Sequence, residues 1–324
     1  MRVILFVLGP LPIIVCSWSI AQWVRPSITP VAASNTLVFD VDPSADDKPM
    51  GAREGSAIEV SDEILDAACQ RRGDRIAARL GNGCRHVVRT PFVIAGDLTT
   101  KELQEWHDGT IEPAAHALWK NYFETRPDEP IVVLLFDREE SYNHYARTLF
   151  GDEGISVFGY YKPRQRTLVM NISTGGGTLL HELTHALADF DFPNIPDWFN
   201  EGLASLHEQA RLANDPPRIQ GLINWRLPVL RDAIHRDRLR SLKSLIAADD
   251  FRGADEGVNY AQARYFCLYM QEQGVLGDYY QAFHDHRAAD PTGAQAVSEV
   301  FRDQSWQQLE KNFRQWVARL DVRH

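Results

Sequence analysis

The chain is predicted to be an α+β protein, with a first lobe of alternating strands and helices and a mainly helical second lobe. Three observations carry that expectation. Between Arg85 and Ile172, runs rich in β-branched and aromatic residues alternate with stretches of helical spacing. One of them, Ile131–Phe136 (IVVLLF), is continuously apolar, the pattern of a strand covered on both faces. Beyond residue 224 the apolar positions recur almost entirely at helical intervals.

The 324 residues are enough to bury a large core. The apolar fraction of 44% and charged fraction of 24% are those of a globular protein. A net charge of −10, with no basic stripe, disfavours nucleic acid as a partner.

The N-terminus differs from the rest. Met1-Arg2 precedes an apolar run, Val3 to Val15, interrupted by Gly9, Pro10 and Pro12. It is short for a membrane span but suits a signal-peptide core, and Ser19-Ile20-Ala21 permits cleavage before Gln22. Bulky Val15 argues against lipidation of Cys16. The alternative is a retained anchor continued through Trp18, Ile20 and Trp23. Residues 1–21 are therefore expected to be a signal peptide or N-terminal anchor. The protein should be secreted or periplasmic, touching a membrane only through that segment if it is uncleaved. Residues 22–60, rich in Pro, Ala, Ser and Asp, read as a flexible tether.

Residues 61–84 form a short helical segment. Ser61 can cap it, Ile64, Ala67, Ala68, Ile76 and Leu80 are its apolar positions, and Gly81-Asn82-Gly83 ends it. Cys69 and Cys84 could form a local disulfide in an oxidising compartment. Cys267, in RYFCL, reads as a small buried hydrophobe, so a thiol mechanism has no support.

Residues 85–320 make up the main domain. Arg85 to Ile94 reads as a strand interrupted by Pro91, followed by a helix from Thr99-Thr100 to about Phe123. After the 131–136 strand come a helix over about 139–149 and a hairpin. Its arms are Ile155–Tyr161 and Arg166–Ile172, joined by Lys162-Pro163-Arg164-Gln165. The glycine cluster in Ser173–Thr178 lacks the lysine of a phosphate loop and reads as a flexible connection. Thr178 can cap the next helix. Phe192–Pro196 then forces a turn, and a second helix is expected from Pro196-Asp197 to about Leu212. Further helices are expected over roughly 224–236, 241–248, 258–273, 276–288, 293–301 and 305–320.

The chemistry lies in Thr178–Ala204. His181-Glu182-Leu183-Thr184-His185 is an H-E-x-x-H pattern. Positions four apart share a helix face, so both imidazoles can reach one metal ion, with Glu182 beside them as a proton acceptor. The composition, with 11 histidines, gives roughly 0.02 such matches by chance. A catalytic zinc site takes three protein ligands and keeps one position open. Glu201, in WFNEGLA, supplies a third ligand from the second helix. The plain alternative is that these are ordinary polar residues on half-buried helices.

HELTHAL followed by WFNEGLA resembles the gluzincins, the thermolysin-like metallopeptidases, and in particular the peptidase MA-like domains. Ala186 to Asp191 lack the glycine and third histidine of a metzincin. The resemblance implies a zincin-like fold, Zn²⁺ held by His181, His185 and Glu201, Glu182 as general base, and a peptide or protein substrate. It also implies an oxyanion donor from the helical lobe. Tyr260, in Asn259-Tyr260-Ala261-Gln262-Ala263, matches the family's helix start, with Tyr265 second and a core tyrosine as the bland alternative. Part of 167–172 would form the cleft edge, or would be a structural strand only.

One departure stands out: Ser205 occupies the position, four beyond Glu201, where thermolysin-like enzymes carry an acid that orients a zinc histidine. Asp189 and Asp197 are alternative acceptors. His207, His235, His284 and His286 read as surface or packing residues. Arg231, Arg236, Arg238, Arg240 and Lys243 read as a solvated face. The competing function is a catalytically inactive binding or structural module on the same scaffold. The chain also lacks the Gly-x-Met-Glu-Asn segment of the aminopeptidase branch, which favours internal peptide bonds as the target.

Overall fold

A mixed five-stranded sheet with helices on both faces forms the first lobe in the computed structural model, which describes residues 62–321. The signal or anchor segment 1–21, the tether 22–60 and the Ser61 cap lie outside the described residues. Helix α1 (Asp62–Leu80) leads into β1 (Arg85–Arg89) and β2 (Phe92–Gly96). These two strands are an antiparallel hairpin, where one interrupted strand was expected. Pro91 cannot donate to the ladder, and the chain reverses at Thr90-Pro91 so that Arg89 pairs with Phe92.

Helix α2 (Thr100–Trp106) begins at a Thr99–Glu102 capping box. A π-helical turn, His107–Ile111, connects it to α3 (Glu112–Asn121). The wide turn sits just before Pro113, which removes one N–H from the helical ladder. Strand β3 (Ile131–Phe136), helix α4 (Glu139–Phe150), and strands β4 (Gly159–Lys162) and β5 (Thr167–Asn171) complete the lobe.

The strand order is β1-β2-β3-β5-β4, with the two central pairings parallel and the two outer ones antiparallel. Strand β5 thus has neighbours on both sides. Of the two roles weighed for 167–172, cleft edge or structural strand, the internal position of β5 fits the second; the edge is β4, which begins at Gly159 instead of Ile155.

Alternation along the strands builds two cores. Val133, Leu135, Leu168 and Met170 face the α3 side, while Val132, Leu134, Phe136 and Val169 pack with Cys69, Ile76, Leu80 and Tyr142 from α1 and α4. Cys69 and Cys84 are both free, correcting the possible disulfide. Their thiols are buried and engage different hydroxyls, those of Thr90 and Tyr145.

Helix α5 (Gly177–Asp191) turns Leu179, Leu183, Ala186 and Leu187 into the core, leaving His181, Glu182 and His185 on the other face. It starts at Gly177 with no side-chain cap, so Thr178 does not play that part. The backbone is pressed against the Glu208 carbonyl, where a Cβ on Gly177 would come within 2.4 Å of the oxygen. After a turn through left-handed Asn194 (φ 63°) comes α6 (Asp197–His207).

Helix α6 stops short of the expected Leu212. The chain instead forms a hairpin of β6 (Ala210–Asn214) and β7 (Pro217–Gly221), with the Gln271 side-chain amide holding both the N–H and the carbonyl of Gly221. The second lobe is α7 (Leu227–His235), α8 (Leu242–Ile246), α9 (Glu256–Glu272), α10 (Leu276–His286), α11 (Ala294–Val300) and α12 (Trp306–Arg319). Gly202 lets α6 lie close on α9, since a Cβ there would meet the Ala263 carbonyl oxygen at 3.0 Å.

Asp191 anchors the end of α5. Its buried carboxylate accepts from the Glu124 and Thr125 N–H groups (2.9 and 2.6 Å) and from the Tyr280 hydroxyl (2.6 Å). Asp191→Ala leaves these donors without their acceptor, and is expected to cost about 3 kcal/mol of stability. A fall in the urea midpoint at unchanged slope checks it.

Candidate metal centre

His181 and His185 lie one helical turn apart on α5, with Glu201 facing them from α6. Their ligand atoms converge: the two Nε2 atoms are 3.0 Å apart, and Glu201 Oε2 lies 3.4 Å from one and 3.5 Å from the other. These three residues form one of two groups among the described residues whose atoms could hold a metal ion. The other, His107, Asp108 and Glu112, contains two exposed acids and lies at the π-helical turn.

The surroundings determine what the ring nitrogens offer. His185 Nδ1 is 2.8 Å from Asn200 Oδ1, an amide oxygen that can only accept, so the ring proton belongs on Nδ1. His181 Nδ1 is 3.3 Å from Glu208 Oε1; the contact is off hydrogen-bond alignment but close enough to favour a proton there. Both Nε2 lone pairs therefore point at each other and at Glu201 Oε2, a buried oxygen with no hydrogen-bond partner. Such a cluster demands a cation or a proton between its members. Zinc–nitrogen and zinc–oxygen bonds of about 2.0–2.2 Å place tetrahedral ligand atoms about 3.3 Å apart. The observed separations bracket that value, and the donor set fits zinc.

Without a metal, a proton serves instead. Burial opposes charge on His181, but Glu201, Glu208 and Glu182 outweigh it and push its pKa up to about 10. Burial likewise works against Glu201 ionisation, and the two imidazoles still hold it well below the usual carboxylate range. Glu208 is carried down to about 2 against its burial by His181 and by Arg226, whose Nη2 donates to Oε1 at 2.7 Å.

The three residues open onto a cleft of about 320 Å³ that Glu182, Asn200, Arg252, Tyr260 and the β4 residues Tyr160 and Tyr161 also line. Tyr260 thus stands at the site. Tyr265 does not, because its buried hydroxyl is spent on the Asn224 backbone. Ser205 has a buried hydroxyl with no partner and orients nothing. Asp189 is engaged by Arg166 and Tyr161, and Asp197 by Arg252. His185 is instead held by a hydrogen bond to Asn200, and His181 Nδ1 has Glu208 as its charged neighbour at 3.3 Å.

The arginines suggested as a solvated face meet Asp232, Asp250 or the carbonyls ending α12, away from the cleft. Asn200, Glu208 and Arg252 were the residues missed from the sequence. Asn200 precedes Glu201 on α6 and Glu208 caps the end of that helix, seven positions beyond Glu201 and so in line with it. Arg252 lies in the loop between α8 and α9, and no sequence pattern marks it.

His207 is fully buried, and its Nδ1 contacts the Thr184 hydroxyl at 3.0 Å. Burial, with Arg264 and His181 nearby, depresses its pKa to about 3. Below the ordinary value of 6.5, the unfolded chain takes up a proton that the folded chain refuses. Stability from this group is therefore lost as pH falls from about 6.5 toward 3. Melting temperatures of the wild type and His207→Gln across that range check it, with a flatter acid-side slope expected for the variant.

Comparison of the chain with protein-family models and with curated proteins finds no match to either.

Proposed function

We propose that the protein is an exported zinc-dependent peptidase of gluzincin type, with a zincin-like catalytic domain. The observation that carries this reading is the convergence of His181, His185 and Glu201 in a cleft that also holds Glu182. A zinc ion bound there lowers the pKa of water and polarises a carbonyl.

Glu182, adjacent to His181 on the same helix, takes the proton from the attacking water and passes it to the leaving amine. The amine then departs neutral and the carboxylate regains its charge. Tyr260 donates its hydroxyl proton as a hydrogen bond to the carbonyl oxygen as negative charge develops there. Strand β4, at the sheet edge and lining the cleft, offers its outer backbone groups to an extended peptide. Retention of Glu182 favours catalysis over a silent binding module, because holding an ion needs no general base.

Glu182→Gln is expected to lower peptide hydrolysis by about 10²–10⁴-fold while leaving zinc content unchanged. Chelation should abolish wild-type activity and added zinc restore it. A purified wild type that carries no zinc, or cleaves nothing across a broad peptide library, would overturn the reading.

A further inference from the structure

We propose that Arg252 is a positioning residue that fixes both the glutamate ligand and the oxyanion donor of this site. The inference rests on the peptidase reading above and adds to it a residue in the loop between α8 and α9.

The guanidinium gives three nitrogens to three partners. Nη2 donates to Glu201 Oε1 at 2.5 Å, Nη1 donates to the Tyr260 hydroxyl oxygen at 2.9 Å, and Nε lies 3.5 Å from Asp197 Oδ2. Asp197 and Glu201 are four apart on α6 and share a face, so one planar fork spans both.

Two consequences follow for the chemistry. With Oε1 occupied, the Glu201 carboxylate is prevented from rotating and presents only Oε2 to the histidines. That is the oxygen found without a partner. The Tyr260 oxygen, in turn, accepts from Arg252, so its own proton points away from the guanidinium, with the Glu201 carboxylate as its neighbour and a substrate carbonyl as the competing acceptor. The Glu201 side chain is only 5% exposed while that of Arg252 is 50% exposed. The fork thus reaches from the half-exposed Arg252 to an oxygen of the buried Glu201 carboxylate. Lysine carries the charge but, as a single ammonium, cannot reproduce the fork.

The test uses the full chain with substitutions R252Q, R252K, Y260F and R252K/Y260F. Zinc affinity is read by competition with a chromophoric chelator, and kcat and KM with a cleaved peptide. Melting of the metal-free proteins checks folding, and R252K keeps the charge should R252Q fold poorly. R252Q is expected to weaken zinc binding about 10–100-fold. R252K should recover part of that affinity but keep a kcat about 10²-fold low, as in Y260F, with KM little changed. R252K/Y260F should then be no slower than Y260F alone.

Wild-type zinc affinity in R252Q, or losses in R252K and Y260F that multiply in the double variant, would overturn the proposal. Zinc affinity needs no substrate, so it still decides the matter if the peptidase reading fails. A wild type without zinc would refute both.

Discussion

Three electron-rich atoms held within a few ångströms of one another, largely out of water, are the constraint on which the rest of the structure depends. With neither a proton nor a metal ion between them, two imidazole lone pairs and a carboxylate oxygen repel. The fold resists this from behind. Leu179, Leu183 and Leu187 lock the rotation of α5 in the larger core, Asp191 pins its end, and Gly202 lets α6 seat closely on α9. The packing energy is spent far from the cleft, and its effect is to keep an unfavourable arrangement in place until a cation satisfies it.

That division explains what the sequence made legible. His181, Glu182 and His185 are related by helical spacing alone, so their common face needed no tertiary information. Glu201 was accessible because it stands in the segment WFNEGLA, which resembles the ligand segment of the gluzincins, a short way past a proline-bounded turn. The strand–helix alternation and the buried IVVLLF strand were legible for the same local reason.

Features decided by long-range contacts were not. Ala210–Asn214 reads as helix by composition, yet the clamp of Gln271 on Gly221, fifty residues away, favours a hairpin. Arg252 reaches Glu201 across fifty-one positions. The resemblance offered part of 167–172 as a cleft edge, with a structural strand as the alternative, and it could not decide between them because edges are set by pairing partners and not by sequence order.

Ser205 stands where a thermolysin-like enzyme would carry an acid, and the same geometry brings a different acid, Glu208, to His181. Residues 201, 205 and 208 share one face of α6, so an acid seven positions beyond the ligand lies one turn farther along the same line. It can reach His181 only if the start of α5 comes close to the end of α6. Gly177 permits that: its bare Cα rests against the Glu208 carbonyl, and His181 follows one turn later. The absent side chain at Gly177 and the absent acid at Ser205 are therefore two halves of one arrangement. Its electrostatics differ from those of an unpaired acid, because Arg226 shares the Glu208 carboxylate through Nε at 3.2 Å and Nη2 at 2.7 Å. The imidazole stands beside an anion whose charge is already largely balanced. Glu201 is balanced in the same way by Arg252, so the centre places two glutamate–arginine pairs around the two imidazoles. Such a centre holds its ligands by geometry more than by net negative charge, which makes the placement of each arginine matter as much as the carboxylate it serves.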